Sequence, residues 1–238
     1  DPSPVHREGV PRCQVRTQRS LHERQLRPNR ENVQHIRRAN PLQRDSQLRV
    51  NFPVVIRVRN IHEVTARDFT IMVAEAHNTG QPVVPVIIDS YGGAVYSLMS
   101  MISDVRSSKL PVATVIQGKA MSCGAIFSTF GTKGMRYMDP HATVMIHDVS
   151  SGAWGKIEEI KADAKEAERL QKKVYHMMAA NCGKSKNYFL KLIHDKGHAD
   201  WYLEPDECLE HGLIDHVDMP QLNVDINVEI TFGSQNQQ

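Results

Sequence analysis

The residue types with the clearest chemical potential are a serine, a histidine and an aspartate that follow one another along the chain. Ser122 lies in the segment GKAMSCG, His147 in MIHD and Asp200 in ADWYL. A hydroxyl, an imidazole and a carboxylate can work together in acyl transfer as nucleophile, general base and orienting group. The chain has twelve histidines, so the types alone decide little. Their positions relative to strands carry the argument.

Small residues surround Ser122, namely Gly118, Ala120 and Gly124. This pattern favours a sharp strand-to-helix turn that presents a hydroxyl, because bulky neighbours would block close approach. A serine before a helix can also be an ordinary N-cap. We favour the nucleophile, because a base and a carboxylate follow in order.

Cys123 is a competing nucleophile, because a thiol is intrinsically more reactive than a hydroxyl. Adjacent side chains on a turn point in different directions, so only one of the two can face His147. We assign the nucleophile to Ser122 and give the backbone N–H of Cys123 to an oxyanion hole. Gly92 and Gly93 could turn further N–H groups toward the same oxyanion.

The orienting carboxylate has several candidates besides Asp200, and the sequence leaves them open. Asp148 adjoins His147, but neighbouring side chains at a strand end diverge, so it should point away. Asp195, Asp206 and Asp215 are also candidates. No metal site and no cofactor are expected: His194 and His198 have i,i+4 spacing, but Gly197 lies between them and no third ligand is near.

Alternating apolar patterns predict strands and helices that position these residues. The predicted strands are 53–58, 83–88, 112–116 and 143–146; the predicted helices are 65–78 (with a threonine cap), 93–107, one from Ser122 through 130, 156–181, 188–194 and 205–211. The near-continuous apolar run 83–88 is typical of a parallel strand covered on both faces. We therefore expect a parallel α/β fold, in which Gly92-Gly93, Ser122 and His147 lie just beyond strand ends on one rim of the sheet.

The long predicted helix 156–181 has one narrow apolar stripe: Ile157, Ile160, Ala164, Ala167, Leu170, Val174 and Met177. A stripe of this length favours packing against another helix or another subunit. The charged face of the helix is expected to be solvated.

Composition divides the chain into three segments: an arm (1–51), a catalytic domain (52–232) and a polar tail (233–238). Residues 1–50 contain eleven Arg, no Lys and five acidic residues, about +6, against +2 for the whole chain. They also lack aromatic residues, so we expect a flexible arm. A solvated tail, a nucleic-acid-binding arm and a targeting presequence are its three interpretations. Nucleic acid is disfavoured because no aromatic side chain is available for base stacking.

Two further features bear on location. The four cysteines are widely spaced, which favours reduced thiols and a cytoplasmic protein. No segment approaches the roughly 20 apolar residues that span a bilayer, so no membrane association is expected.

These motifs closely resemble those of the ClpP family, the proteolytic subunit of the ATP-dependent Clp protease. The resemblance covers about residues 53–217. The segment 88–93 is similar to the family's Ser-Pro-Gly-Gly segment, with Tyr91 in place of proline; 118–125 resembles its nucleophile motif, and 145–147 its histidine motif. The region from Asp200 to Val217 resembles its aspartate region. Cys123 stands where methionine is common.

The resemblance implies a ClpP/crotonase-like fold of repeated ββα units with a protruding "handle" helix, here 156–181. It implies a triad of Ser122, His147 and Asp200, with Gly93 and Cys123 donating to the oxyanion. It also implies a homo-oligomer of stacked heptameric rings that encloses a chamber, an AAA+ unfoldase as partner, and unfolded polypeptides or short peptides as substrates.

The arm does not resemble the family's N-terminal sequence, so a bacteriophage-type member is one interpretation. Besides a serine endopeptidase, a catalytically silent ring subunit and a crotonase-like acyl-CoA enzyme are possible readings of the motifs. The sequence leaves open the cleavage specificity, the ring size, the unfoldase and the role of the arm.

Overall fold

The computed structural model describes residues 52–152 and 154–221. The predicted arm and the predicted polar tail lie outside the described residues. Within them the chain forms seven strands and six helices. The strands are β1 (Ile56–Val58), β2 (Val84–Ser90), β3 (Val112–Met121), β4 (Arg136–Met138), β5 (Thr143–Ile146), β6 (Trp201–Leu203) and β7 (His216–Val217); the helices are α1 (Glu63–His77), α2 (Val95–Ser107), α3 (Cys123–Ser128), α4 (Ile157–Asn181), α5 (Tyr188–Asp195) and α6 (Pro205–His211).

The sheet is organised around β3, whose ten residues contact three other strands. One edge of β3 pairs with β2, which in turn pairs with β1. The other edge pairs with β4 along its first half and with β5 along its second half. Every pairing is parallel except that of β5 with β6. The predicted α/β class with a parallel sheet is confirmed.

β3 is longer than predicted. The sequence indicated a strand over 112–116 followed by a loop, but the strand continues through Gly118 to Met121. Gly118 has φ +81, a conformation that glycine adopts without steric cost, so β3 continues through this residue. The prediction stopped early because a glycine and a lysine interrupt the apolar run. The extension matters, because it carries the strand directly to Ser122.

Two helices begin at different residues from those predicted. α1 is capped by His62 rather than Thr65: the ring Nδ1 of His62 accepts a hydrogen bond of 3.2 Å from the N–H of Thr65. α2 begins at Val95 rather than Gly93. Gly93 has φ +146 and forms an isolated parallel bridge with Ile61, so it is extended and cannot belong to the helix.

Three short strands were missed from the sequence: β4, β6 and β7. They contain only two or three residues each, too few for an alternating pattern to stand out. Each is held by pairing with a neighbouring strand: β4 pairs with β3, β6 with β5, and β7 with β4.

α4 is observed as predicted to within one residue, but its apolar stripe is divided. Leu170 and Val174 are buried in the subunit's own core. Ile157 and Ile160 are 71% and 40% exposed, as is Trp154 just before the helix (95%). The expected packing against another helix or subunit therefore divides: the C-terminal half of the stripe packs within the subunit, and the N-terminal half is exposed. Within the described residues, no helix has the length and apolarity needed to cross a membrane.

One ion pair anchors the end of the domain to the sheet. Arg136 on β4 is 4% exposed, and its guanidinium binds both carboxylate oxygens of Asp215, at 2.9 and 2.6 Å. Burial alone would raise the pKa of Asp215, but hydrogen bonds and charge from Arg136 outweigh burial and lower that pKa. Arg136 also donates to the carbonyl of Gly212. The pair joins the segment after α6 to β4.

We expect Asp215→Asn to lower the free energy of unfolding by about 3 kcal/mol, because it leaves a buried guanidinium without its counter-charge. Because the pKa of Asp215 is lowered by folding, the stabilisation is present above about pH 4 and is lost as the pH falls through the lowered pKa. Thermal unfolding at several pH values measures both effects.

Asp68→Asn is the matched control, because the ion pair of Asp68 with Arg67 has both side chains more than half exposed and should contribute little. Equal losses in the two variants at neutral pH would contradict the special role of the buried pair.

Candidate active site

Ser122 occupies a strained turn between the end of β3 and the start of α3. Its backbone has φ +54 and ψ −122, an unusual conformation for a residue other than glycine. The Ser122 side chain does not cap α3. Its Oγ instead lies 2.8 Å from the Nε2 of His147. The interpretation of Ser122 as an ordinary helix cap therefore does not describe its contacts.

The pairing of β3 with β5 brings the serine and the histidine together. Met121 at the end of β3 is in register with Met145 of β5. The N–H of Ser122 continues this ladder and donates to the carbonyl of Met145 at 2.8 Å. His147 follows the last residue of β5. Both side chains thus leave neighbouring parallel strands at the same rim, as the sequence predicted.

The antiparallel pairing of β5 with β6 brings Asp200 to the same place. Ile146 is in register with Trp201, so the next pair outward is His147 and Asp200. The Nδ1 of His147 lies 3.5 Å from Oδ1 of Asp200. This distance exceeds the usual 2.7–3.2 Å of an N–H···O hydrogen bond. The carboxylate faces the imidazole on the side opposite to Ser122 and is half exposed.

The other aspartates considered from the sequence have different partners. Asp148 accepts from Gln171 at 2.7 Å and contacts His198 at 2.6 Å, so it points away from His147 as expected. Asp215 is held by Arg136, and Asp195 lies beside His194. Asp206 lies in the first turn of α6. Among the residues described, Asp200 is the carboxylate positioned to orient His147.

Cys123 is buried behind the turn. The residue is 3% exposed, and its thiol donates a hydrogen bond to the carbonyl of Gly93 at 3.2 Å. Burial raises the pKa of this thiol to about 11. The thiolate form, which is the nucleophilic one, is therefore scarce at neutral pH. The structure favours Ser122 over Cys123 for covalent chemistry.

Two N–H groups remain available beside the serine. Within the described part of the chain, no backbone carbonyl accepts a hydrogen bond from the N–H of Gly93 or Cys123. The bridge between Gly93 and Ile61 consists of two hydrogen bonds: the N–H of Ile61 donates to the carbonyl of Gly92, and the N–H of Ala94 donates to the carbonyl of Ile61. Neither bond uses the N–H of Gly93. Two unpaired donors next to a serine hydroxyl are the arrangement that stabilises an oxyanion.

The segment after His147 has contacts that the sequence did not reveal. Gln171, Tyr175 and His198 all bind residues 147–149, through side chains or main chain. No motif marks these three residues, and Gln171 lies among the charged residues of α4 that were expected to be solvated.

The structure also bears on the question of a metal site. His198 is paired with Asp148, and no metal-binding group of three or more His, Cys, Asp or Glu occurs in residues 52–152 or 154–221.

A comparison with models of protein families identifies the relationship. The Clp protease family matches residues 44–221, which is about three quarters of the chain. The chain belongs to the Clp protease family. The resemblance to the ClpP family is confirmed, and the mixed α/β structure with its parallel sheet agrees with the ClpP fold. Membership supports a ClpP-type peptidase.

In this Clp protease family member, a single glycine permits the close approach of the 90–93 loop to the nucleophile turn. Gly92 has φ +101, and a Cβ on it would lie 2.9 Å from the Cβ of Ser122 and 2.8 Å from the carbonyl oxygen of Met121. Real Cβ atoms do not approach so closely, so any side chain here would displace the turn.

We therefore expect Gly92→Ala to slow the covalent labelling of Ser122 by a fluorophosphonate by about tenfold or more, because a shift of the serine misaligns it with His147. The labelling rate of the purified protein, followed by mass spectrometry, measures this effect. Gly134→Ala is the matched control: Gly134 has φ +85, so alanine is similarly strained there, but its Cβ would meet nothing within 4 Å. An unchanged rate in Gly92→Ala, or an equal loss in both variants, would contradict the steric argument.

Proposed function

We propose that this protein is a serine endopeptidase that cleaves unfolded polypeptides or short peptides by way of an acyl-enzyme. Ser122 is the nucleophile, His147 the general base and Asp200 the orienting carboxylate; Gly93 and Cys123 supply the oxyanion-binding N–H groups. The observation that carries the proposal is the 2.8 Å contact between the Nε2 of His147 and the Oγ of Ser122, made on a strained turn.

The steps follow from this geometry. Ser122 Oγ attacks the carbonyl carbon of the scissile peptide bond while its proton passes to Nε2 of His147. The negative charge that develops on the carbonyl oxygen is stabilised by the two unpaired N–H groups. His147 then gives its proton to the leaving amine. In the second half of the reaction water attacks the acyl-enzyme while His147 takes its proton, and His147 returns that proton to Ser122 Oγ as the acyl group leaves. Asp200 stabilises the imidazolium through Nδ1.

We also propose that the subunits form stacked heptameric rings that enclose the active sites. The support is three exposed apolar side chains: Trp154 just before α4, and Ile157 and Ile160 in its N-terminal half. Such residues are typical of a subunit interface. An AAA+ unfoldase is the proposed partner for folded substrates.

We also propose a cytoplasmic location and a domain boundary near residue 52.

The first test is Ser122→Ala, which we expect to lower peptide hydrolysis by a factor on the order of 10⁴ or more, because the nucleophile is lost. The assembly should keep its size. Cleavage of a fluorogenic peptide by the purified particles measures the rate. Cys123→Ala is the neighbouring control and should keep most of the activity. Full activity in Ser122→Ala with an inactive Cys123→Ala would transfer the nucleophile to the thiol.

The second test concerns assembly. Ile157→Glu combined with Ile160→Glu should give smaller particles in sedimentation velocity, since each buried aliphatic side chain contributes about 1.5–3 kcal/mol to an apolar contact. Both residues are exposed in the subunit, so the variant should still fold. Lys165→Glu, which makes the same change of two charges on a different and exposed face of α4, is the control for added negative charge. A double variant with the particle size of the unmodified protein would contradict the interface.

A further inference from the structure

The main chain at His147 is held by two side chains from α4. The hydroxyl of Tyr175 donates to the carbonyl of His147. Four residues earlier on the helix, the side-chain amide of Gln171 accepts from the N–H of Val149 at 2.8 Å and donates to Asp148 Oδ1 at 2.7 Å. Residues at i and i+4 share one helix face. One face of α4 therefore fixes three consecutive residues beginning at the proposed base.

These contacts are built into the interior. Tyr175 is 1% exposed, and burial raises the pKa of its phenol well above the usual value, so the phenol remains protonated and acts as a donor. Gln171 and Asp148 are half-buried. The three hydrogen bonds satisfy polar groups that would otherwise be partly desolvated and unpaired. They therefore resist movement of the His147 main chain.

The other oxygen of Asp148 ties in the segment that carries Asp200. Asp148 Oδ2 lies 2.6 Å from Nδ1 of His198. His198 itself has φ +59, and its N–H is bound to the carbonyl of Ile193 at the end of α5. Asp200 follows two residues later. Asp148 thus joins α4, the segment after β5 and the segment before β6.

We propose that Gln171, Tyr175, Asp148 and His198 are positioning residues that act as a clamp on residues 147–149 and hold the imidazole of His147 between Ser122 and Asp200. None of them contacts the reacting atoms. The clamp rests on the proposed function for its effect on rate. Its effect on the main chain at Val149 is independent of that function.

The chain offers an exchange of hydrogen-bonding groups as a test. In Gln171→Glu the acceptor for Val149 is kept, but a carboxylate replaces the amide that donates to Asp148, so two acceptors face each other. Adding Asp148→Asn restores a donor toward residue 171 and leaves an acceptor for His198. We expect Gln171→Glu to lower kcat for a fluorogenic peptide about tenfold with KM within about twofold, since a misplaced base affects chemistry more than binding. The double variant should recover most of kcat.

Lys172→Gln is the control on the same helix, because Lys172 pairs with Glu168 on the exposed face. Its kcat should be unchanged. All rates are measured on particles that match the size of the unmodified assembly. Loss of assembly in Gln171→Glu, an unchanged kcat, or a loss that Asp148→Asn fails to repair would each overturn the clamp.

A second measurement separates the clamp from the peptidase proposal. Gln171→Leu removes the acceptor of the Val149 N–H, so hydrogen–deuterium exchange at this amide should become at least about tenfold faster than in the unmodified protein. Unchanged exchange at Val149 would overturn the clamp. If the unmodified protein neither cleaves peptide nor reacts with a fluorophosphonate, the proposed function fails, and faster exchange in Gln171→Leu still supports the clamp.

Discussion

The register of three neighbouring strands is the constraint on which the candidate site depends. Met121 of β3 is in register with Met145 of β5, and Ile146 of β5 with Trp201 of β6. Ser122, His147 and Asp200 each lie one residue beyond these pairs. Since a shift of one residue turns every side chain of a strand to the opposite face, the ladder hydrogen bonds select the arrangement of the three groups. The site follows from backbone pairing before any side chain is considered.

Around this register, several stabilising contacts also limit movement of the site. The turn at Ser122 is tied by its N–H to β5, and Gly92 lets the 90–93 loop pack against it. The C-terminal half of α4 is packed in the core beside residues 147–149, and its N-terminal half carries exposed apolar side chains. In the proposed assembly, α4 would connect a contact on its exposed half to the main chain at the proposed base.

The sequence predicts much of this arrangement and fails for identifiable reasons. The long helices and the apolar strands have strong periodicity, so their positions were predicted to within a few residues, as was the shared rim of Gly92-Gly93, Ser122 and His147. Asp200 could not be chosen from residues alone, because β6 has only three residues and gives no periodic signal. The contacts of Gln171, Tyr175 and His198 depend on how α4 and α5 pack, which a pattern along one helix does not encode. The same limit explains why the sequence left open whether the stripe on α4 packs against a helix or a subunit; Leu170 and Val174 belong to the core.

The rate of fluorophosphonate labelling at Ser122 in Asp200→Asn, compared with Asp195→Asn, tests the central claim most directly. Both substitutions remove one charge from an exposed carboxylate near a histidine, but only Asp200 faces the proposed base. Strand register predicts that Asp200→Asn lowers the labelling rate by a factor on the order of 10³ and that Asp195→Asn leaves it unchanged. Equal rates in the two variants would contradict the claim that the pairing of β5 with β6 supplies the carboxylate of the site.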